Sequence, residues 1–486
     1  MLSIQAPTLG PILGYTTHEQ ARIWLRGDRR STERRYFGVV QLQHPTTGLG
    51  SQQYQKLEPH FDMTGVVAFT GLEPNTTYHY RAGWVETDAD VELNQLPTDP
   101  AELDWGQAEE IPFRTGSNNA VQERTLVVGS CRYLLKMRLL GLDVDVFDER
   151  GDKVFRSILA QKDDVDALVM MGDQIYADDL NFFRPDTTMG QFLGRYQEAF
   201  GQPYLRRLMQ QVPTYMILDD HEIEDNWPQK ATQRDRILLY SKAIHAYQIY
   251  QVSHSPVFAL DAQGYITGTP DRFWYTFRDG CVDCFVMDVR TERVWHEDST
   301  KRSLITRVQM EALQQWLVKG SDADRVKLIV TSVPVFPDLQ ASDEQTDKWG
   351  GFLRERTQLL DFIKQNAVRK VVFMSGDVHC SFTAELTCKQ DPTFKVVSVI
   401  SSSFFWPYPH MRATNFQLDG ALRVPKDHPN EYHVGSASTV FSEDNFGRLT
   451  CRPDRISVTY FDRKGKQLSP RPATHSFSTR AEELGT

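Results

Sequence analysis

Asp173 and Tyr176 stand three residues apart in Leu168-Val-Met-Met-Gly-Asp-Gln-Ile-Tyr-Ala-Asp-Asp179, directly after a short apolar run. A carboxylate and a phenol at that spacing could share one cation, and the carboxylate could bridge to a second. Comparable groups recur along the chain. Gly129-Ser-Cys131-Arg-Tyr follows Val127-Val128, and Asp219-Asp220-His221-Glu222-Ile-Glu-Asp-Asn226 follows Ile217-Leu218. Asp288-Val-Arg290 follows Val286-Met287, and Ser-Gly376-Asp377-Val-His379 follows Met374. One such loop is ordinary Gly/Asp/Asn turn chemistry. Five in order, each after an apolar run, exceed what turn propensity explains.

Bringing those groups together requires strands whose C-terminal ends share one edge, where layered α/β folds collect ligands. Apolar runs at 126–128, 168–171, 215–218, 281–287, Val326–Val330 and 371–374 supply them, and helical patterns at 152–162, 237–250, 306–319 and 355–365 alternate with them. That alternation predicts an α/β region. Residues 448–466 read as a closing hairpin with Gly465 in the next turn. Residues 1 to about 116 read as all-β: Ala21-Arg-Ile-Trp-Leu-Arg26 alternates apolar and polar, and 36–42 and 66–70 continue the pattern. The polar Gly116-Ser-Asn-Asn119 marks a boundary, giving regions 1–116 and 124–486.

At 486 residues, two or three domains are expected, and 40% hydrophobic with 24% charged residues fits a soluble globular protein. A net charge of −10 and pI near 5.8 disfavour nucleic-acid duplexes and anionic membranes. Bound cations can still reverse the local field for an anionic substrate. The six cysteines show no disulfide-framework spacing. Cys281-Val-Asp-Cys284 lacks a second such pair, so zinc is disfavoured; on one strand its thiols would face opposite sides in a structural role. The N-terminus lacks the basic start and apolar core of a secretory signal, and no run reaches transmembrane length. A soluble, cytoplasmic monomer is expected, extracytoplasmic only if a leader had been removed; the Asn75-Thr76-Thr77 sequon matters only in that case.

Two resemblances sharpen this reading. Gly71-Leu-Glu-Pro-Asn-Thr-Thr-Tyr-His-Tyr-Arg81 resembles the turn-to-strand signature of fibronectin type III domains. The order Ser-Cys, Gly-Asp-x-x-Tyr, Asp-Asp-His-Glu-x-x-x-Asn, Asp-x-Arg, Gly-Asp-x-His resembles PhoD-like alkaline phosphatases of the calcineurin-like metallophosphatase superfamily, from about 124 to the C-terminus. Lys348-Trp-Gly-Gly-Phe-Leu-Arg-Glu-Arg356 and Asn445-Phe-Gly-Arg-Leu449 extend the match. The resemblance implies a fibronectin III-like sandwich followed by a four-layer α-β-β-α metallophosphatase sandwich. It also implies hydrolysis of small phosphate esters by hydroxide activated at a dinuclear Fe³⁺ and Ca²⁺ centre, without a covalent phosphoenzyme.

The donor types agree with that implication. Cys131, Tyr176, His379 and Asp173 combine thiolate and phenolate, which favour a strongly acidic transition ion, ferric iron above all. Asp173 as bridge, Asp220, Asn226 and Asp377 offer hard oxygen, suited to Ca²⁺, Mg²⁺ or Mn²⁺. Relative to the superfamily at large, Ser-Cys-Arg replaces Asp-x-His, Gly376-Asp-Val-His379 replaces Gly-His-x-His, and 330–335 lacks a histidine. Arg290 is expected to clamp the phosphate bidentately, with Asn226 beside it. His221, backed by Glu222, is expected to protonate the leaving oxygen. Asp178 and Asp179 read as solvated charge, and Asp219 as loop charge or support for a further calcium. Ser401-Ser-Ser-Phe-Phe-Trp-Pro-Tyr-Pro409 could line a pocket mouth or fill the core. Alternatives are a phosphodiesterase acting on lipid, polymer or nucleotide esters, a cysteine-nucleophile enzyme using Cys131 with His379, and a binding module with a vestigial metal site.

Overall fold

Two sheets end their parallel strands at a common edge. In the computed structural model, which describes all residues except 47, 49, 135–136, 140–141, 145–149, 179–185, 263, 320–324, 341–345 and 478–486, Arg124–Gly129, Ala167–Met170 and Thr214–Met216 pair in parallel. Arg124–Gly129 also pairs with Asn445–Arg452, and the hairpin to Arg455–Asp462 and then Ala473–Ser476 completes a six-stranded sheet. The second sheet has eight strands. Its parallel centre is Val282–Val286, Val326–Val330, Val371–Ser375 and Asp391–Ile400, flanked by antiparallel strands at both sides.

Alternation along each strand sorts side chains into layers. Leu126, Val128 and Val169 enter a core shared with Val282, Val286 and Val330 of the other sheet. Val127, Leu168 and Met170 face outward and pack with Val154, Phe155 and Ile158 of the helix Arg150–Leu159 and Phe192 and Tyr196 of Met189–Gly201. On the second sheet Phe285, Ile329 and Phe373 meet Leu313 and Trp316 of Arg307–Val318 and Leu359 and Ile363 of Leu353–Gln365. Strands covered on both faces must be apolar throughout, which is why these runs lack alternation in the sequence. The Met189–Gly201 helix, absent from the sequence reading, starts with a capping box: Thr188 Oγ1 accepts from Gln191 N–H at 3.3 Å, and Gln191 Oε1 accepts from Thr188 N–H at 3.0 Å. The pattern at 237–250 is realised as Gln233–Leu238 and Tyr240–Tyr247, with a wider π-turn over Gln248–Val252.

Cys281 sits in the turn before Val282–Val286, so it joins Cys284 in the inter-sheet core and does not face the opposite side. No helix among the described residues is long and apolar enough to cross a membrane.

The first hundred or so residues form a three-stranded and a four-stranded antiparallel sheet that share a core of Ile23, Leu25, Val40, Val67 and Tyr80. Gly71 turns at φ +73°, Leu72 plugs this core, and the Tyr78 hydroxyl accepts from Glu73 N–H at 2.9 Å. A second face docks on the α/β part: Leu9, Ile12, Trp24 and Val66 merge with its outer helical core. Trp24 Nε1 donates to Ile249 O at 2.9 Å, Arg22 Nη1 to Ser255 O at 2.6 Å and Phe258 O at 2.9 Å, and Tyr15 N–H to His254 O at 2.8 Å. Gly14 allows that approach, because a Cβ there would overlap His254.

Candidate metal centre

The loops after these strands are held in conformations that side-chain-bearing residues rarely adopt. Cys131, Asp173, Asn226, Asp377 and His379 have φ of 56°, 55°, 57°, 68° and 48°, five of the eleven such non-glycine residues described. Left-handed backbone costs roughly 1–2 kcal/mol per residue and persists where surroundings over-determine it, as at functional sites. Gly172, at φ +104°, lies against the Asp219 side chain, where a Cβ would overlap it.

Three groups of donor atoms result. Cys131, Asp173 and His379 place one ligand atom each within 4.8 Å of one another, as do Asp173, Asp220 and His221, and Asp219, Asp220 and Asp377. Asp173 and Asp220 each belong to two groups. Asp173 Oδ2 also accepts the Tyr176 hydroxyl at 3.2 Å and the Cys131 thiol at 3.3 Å. Asn226 joins through its backbone, donating N–H to Asp220 Oδ2 at 2.6 Å, while its amide Nδ2 turns to Asp225 Oδ1 at 2.9 Å.

The electrostatics are those of an acid cluster short of positive charge. Burial pushes the Asp173 carboxyl well above its ordinary range, and Asp219, Asp220 and Glu222 push further while His221 opposes. Burial and Asp220 carry Asp219 up to about 7 against the pull of Arg290. The Cys131 thiol is pushed up by burial, Asp173 and Asp377. Burial, with His221, Lys348 and His410 nearby, pushes His379 well below its usual value, so the imidazole is neutral and its buried Nε2 has no hydrogen-bond partner. Asp173 Oδ1 and Asp219 Oδ2 are likewise buried without a partner. Neutral imidazole, thiol, phenol and unpaired carboxylate oxygens around one space fit cations as the missing partners.

The profile of the PhoD-like phosphatase family matches residues 147–452, more than half of the chain. The chain belongs to the PhoD-like phosphatase family. Alkaline phosphatase D of Bacillus subtilis (strain 168) is 24% identical over 351 residues, which cover 65% of this chain and 53% of that protein. The chain thus spans about half the length of that curated relative. A solved structure of PhoD superposes with a TM-score of 0.68 at 16% identity, covering 97% of this chain and 89% of the other, which shows a shared fold.

In this member of the PhoD-like phosphatase family several side chains are placed differently from what the sequence suggested. Arg290 is fully buried and its donors are committed: Nε to Asp219 Oδ1 at 2.5 Å, Nη1 to Trp227 O at 3.0 Å and Asp347 Oδ1 at 2.8 Å, and Nη2 to Asp347 Oδ2 at 3.0 Å. Nη2 also lies 3.4 Å from Asp220 Oδ1. Four of its N–H groups are thus taken by protein acceptors, so in this arrangement Arg290 fixes carboxylates and does not present the free bidentate fork expected for phosphate. His221 is backed by Asp178, not Glu222: its Nδ1 lies 2.7 Å from Asp178 Oδ2. The Asp178 side chain is accordingly largely covered, at 7% exposure, and it also accepts Asp225 N–H at 2.9 Å; Asp179 lies outside the described residues. Glu222 instead ties two loops, accepting the N–H groups of Gln174 (2.7 Å), Asp173 (3.2 Å) and Asp219 (3.0 Å).

Asp219 is fully buried against Arg290 and Ser332 rather than loop charge. The Cys131 sulfur bonds hydroxyls and Asp173 and makes no hydrogen bond to His379, so the thiol–imidazole pair of the cysteine-nucleophile alternative is not formed. In the 401–409 stretch the serines are buried, and Trp406 stacks on the His379 ring at 3.7 Å between centroids. Sequence reasoning gave Lys348 no role. Its ammonium pairs with Asp377 and lies 3.2 Å from Asp347 Oδ2, directly beside the donor groups. The one signal was its place in the Lys-Trp-Gly-Gly run.

Proposed function

We propose that this chain hydrolyses phosphate esters at a centre built for two metal ions. The observation carrying this reading is the sharing of Asp173 and Asp220 between overlapping donor groups whose buried oxygens lack hydrogen-bond partners. Cys131, Asp173, Tyr176 and His379 would hold one ion, and their thiolate and phenolate suit ferric iron. Asp173, Asp220, Asn226 and Asp377 would hold the other, with Ca²⁺, Mn²⁺ or Mg²⁺ suited to oxygen donors. When bound, such a pair supplies Lewis-acid polarisation of the phosphoryl group and acidifies water.

The chain's own residues do the rest. Lys348, already facing Asp377, is the cation best placed for phosphoryl oxygens, since Arg290 is held by Asp219, Asp347 and the Trp227 carbonyl. Burial lowers the His221 pKa, but Asp178, Asp220 and Asp173 raise it well above its usual value, which suits this imidazole to give a proton to the leaving oxygen. Glu222 and Arg290 hold the loops still. The two sheets with a shared core and outer helices support the four-layer reading of 124–486, and the Leu72–Tyr78 hairpin supports a fibronectin III-like reading of 1–116.

Metal analysis with a visible spectrum, joined to ester assays, tests this. Protein replete with iron and calcium should show a charge-transfer band and hydrolyse p-nitrophenyl or bis-p-nitrophenyl phosphate, and chelation should remove colour and activity. The ratio of the two rates sorts monoesterase from diesterase. Metal-replete protein inert on a broad ester panel would leave the binding-module alternative.

A further inference from the structure

The two hydroxyls beside the Cys131 sulfur are constrained by the loop that carries Asp377 and His379. Asp377 N–H donates to Ser130 Oγ at 3.2 Å, and His379 N–H donates to Ser402 Oγ at 3.1 Å. A hydroxyl has a single proton. With each oxygen accepting a backbone N–H, that proton must point elsewhere, and Cys131 Sγ lies 3.1 Å from both oxygens. The competing acceptor for Ser130, the Ser401 carbonyl, is farther, at 3.5 Å. All these groups are in the interior: Ser130, Cys131 and Ser402 are at most 1% exposed.

Packing holds the arrangement. A Cβ on Gly376 would overlap Ser130 Oγ, so glycine is needed for the hydroxyl to reach the loop. Ser402 is gripped on both sides by Ser381, whose Oγ accepts Ser402 N–H at 2.9 Å and donates to Ser402 O at 3.1 Å.

We propose that Ser130 and Ser402 are positioning residues that clamp the Cys131 sulfur with two O–H bonds, holding it as a hydrogen-bonded thiolate donor in register with Asp377 and His379. This rests on the metal-centre reading above. Hydrogen bonds to a ligating sulfur withdraw electron density and tune the bound ion, and partners of this kind also set metal affinity. Because the same hydroxyls accept from the 377–379 backbone, the sulfur and two ligands of the opposite loop move as one unit.

The test uses the full chain with Co²⁺ alone as probe, reading the near-ultraviolet thiolate-to-cobalt band and cobalt affinity. Wild type should show the band and Cys131→Ser should lose it. Ser130→Ala and Ser402→Ala should each move the band to longer wavelength and weaken cobalt binding by roughly tenfold. Ser402→Thr, which keeps the hydroxyl, should restore both. If an alanine variant does not fold, Ser402→Cys, with a weaker donor, should shift the band the same way by less. Folded alanine variants with wild-type band and affinity would overturn the clamp while leaving the centre intact. A wild-type cobalt protein whose spectrum is indifferent to Cys131→Ser would overturn the centre and the clamp together.

Discussion

Two buried clusters in this chain use the same residue types and end differently. Between the eight-stranded sheet and the last strand, His475 Nδ1 lies 2.7 Å from Glu385 Oε1 and its Nε2 lies 2.9 Å from Thr383 Oγ1. Lys395 pairs with the same glutamate at 2.6 Å. Hydroxyl, imidazole and carboxylate in a row is the arrangement of a hydrolytic triad. Thr383 is wholly buried, however, and the three side chains complete one another's hydrogen bonds. At the strand tips the pairing is unfinished. Among the described residues, every buried carboxylate oxygen with no hydrogen-bond partner belongs to Asp173, Asp178, Asp219, Asp220, Glu224 or Asp377; of these, the Asp220 and Asp377 oxygens have only an ion pair. An unpaired buried acceptor costs about 1–3 kcal/mol. Residue type therefore does not mark the site; incomplete pairing does.

That contrast can be broken. Asp173→Asn removes the carboxylate shared by two donor groups, so kcat/KM should fall on the order of 10³-fold and bound metal should be lost, with circular dichroism unchanged. A folded variant with full activity would show that unfinished pairing is no marker. Lys348→Met should lower kcat/KM by about 10²-fold and weaken inhibition by inorganic phosphate. Lys395→Met, in the closed cluster, should leave both untouched, and the opposite pattern would place the substrate elsewhere. Asp178→Asn should reduce kcat about tenfold at unchanged metal content, because His221 loses the carboxylate that orients it and favours its charged form; an unaltered kcat would show that Asp178 does not support His221 in the reaction.

The smallest effect belongs to Glu385→Gln, which should leave activity alone. Burial raises the Glu385 pKa, but hydrogen bonds from His475 and Lys395 outweigh it and bring the carboxyl from 4.5 to about 2. A depressed carboxyl contributes stability that is complete above its unfolded value and is lost as pH falls through the folded one. The melting-temperature gap between wild type and variant should thus be widest above about pH 4.5 and close toward about pH 2. A gap independent of pH would mean that the closed cluster contributes by shape alone.

What the sequence made legible was the placing of chemistry after strands. Short apolar runs ending in Gly-Asp or Asp-Asp-His are local signals, and parallel strands bring their C-terminal ends to one edge by geometry. Cys131, Asp173, Asp220, Asp377 and His379 accordingly place donor atoms there, Tyr176 bonds Asp173, and Asn226 reaches Asp220 only by its backbone N–H. Partner choice was not legible, because it is made across loops far apart in the chain. Nothing near Arg290 announces that Asp347 and Asp219 will hold its guanidinium, and Asp178 looks like Asp179 until His221 folds onto it. The Thr188–Gln191 capping box was a readable signal for the helix that went unread.

The docking of the N-terminal sandwich bears on how such a protein can be inherited. Trp24, Arg22 and Tyr15 grip the segment from Ile249 to Phe258, and Gln251 within it donates to Tyr196 at 3.1 Å and to Glu222 at 3.2 Å. Glu222 in turn anchors the backbone of Asp173 and Asp219. Recombination that exchanged residues 1–116 for a relative's sandwich, without the matching 249–258 segment, would disturb the backbone of Asp173 from two layers away. The hold of Tyr15, Arg22 and Trp24 on the 249–258 segment thus reaches the Asp173 loop through Gln251 and Glu222, although the first region also has a core of its own.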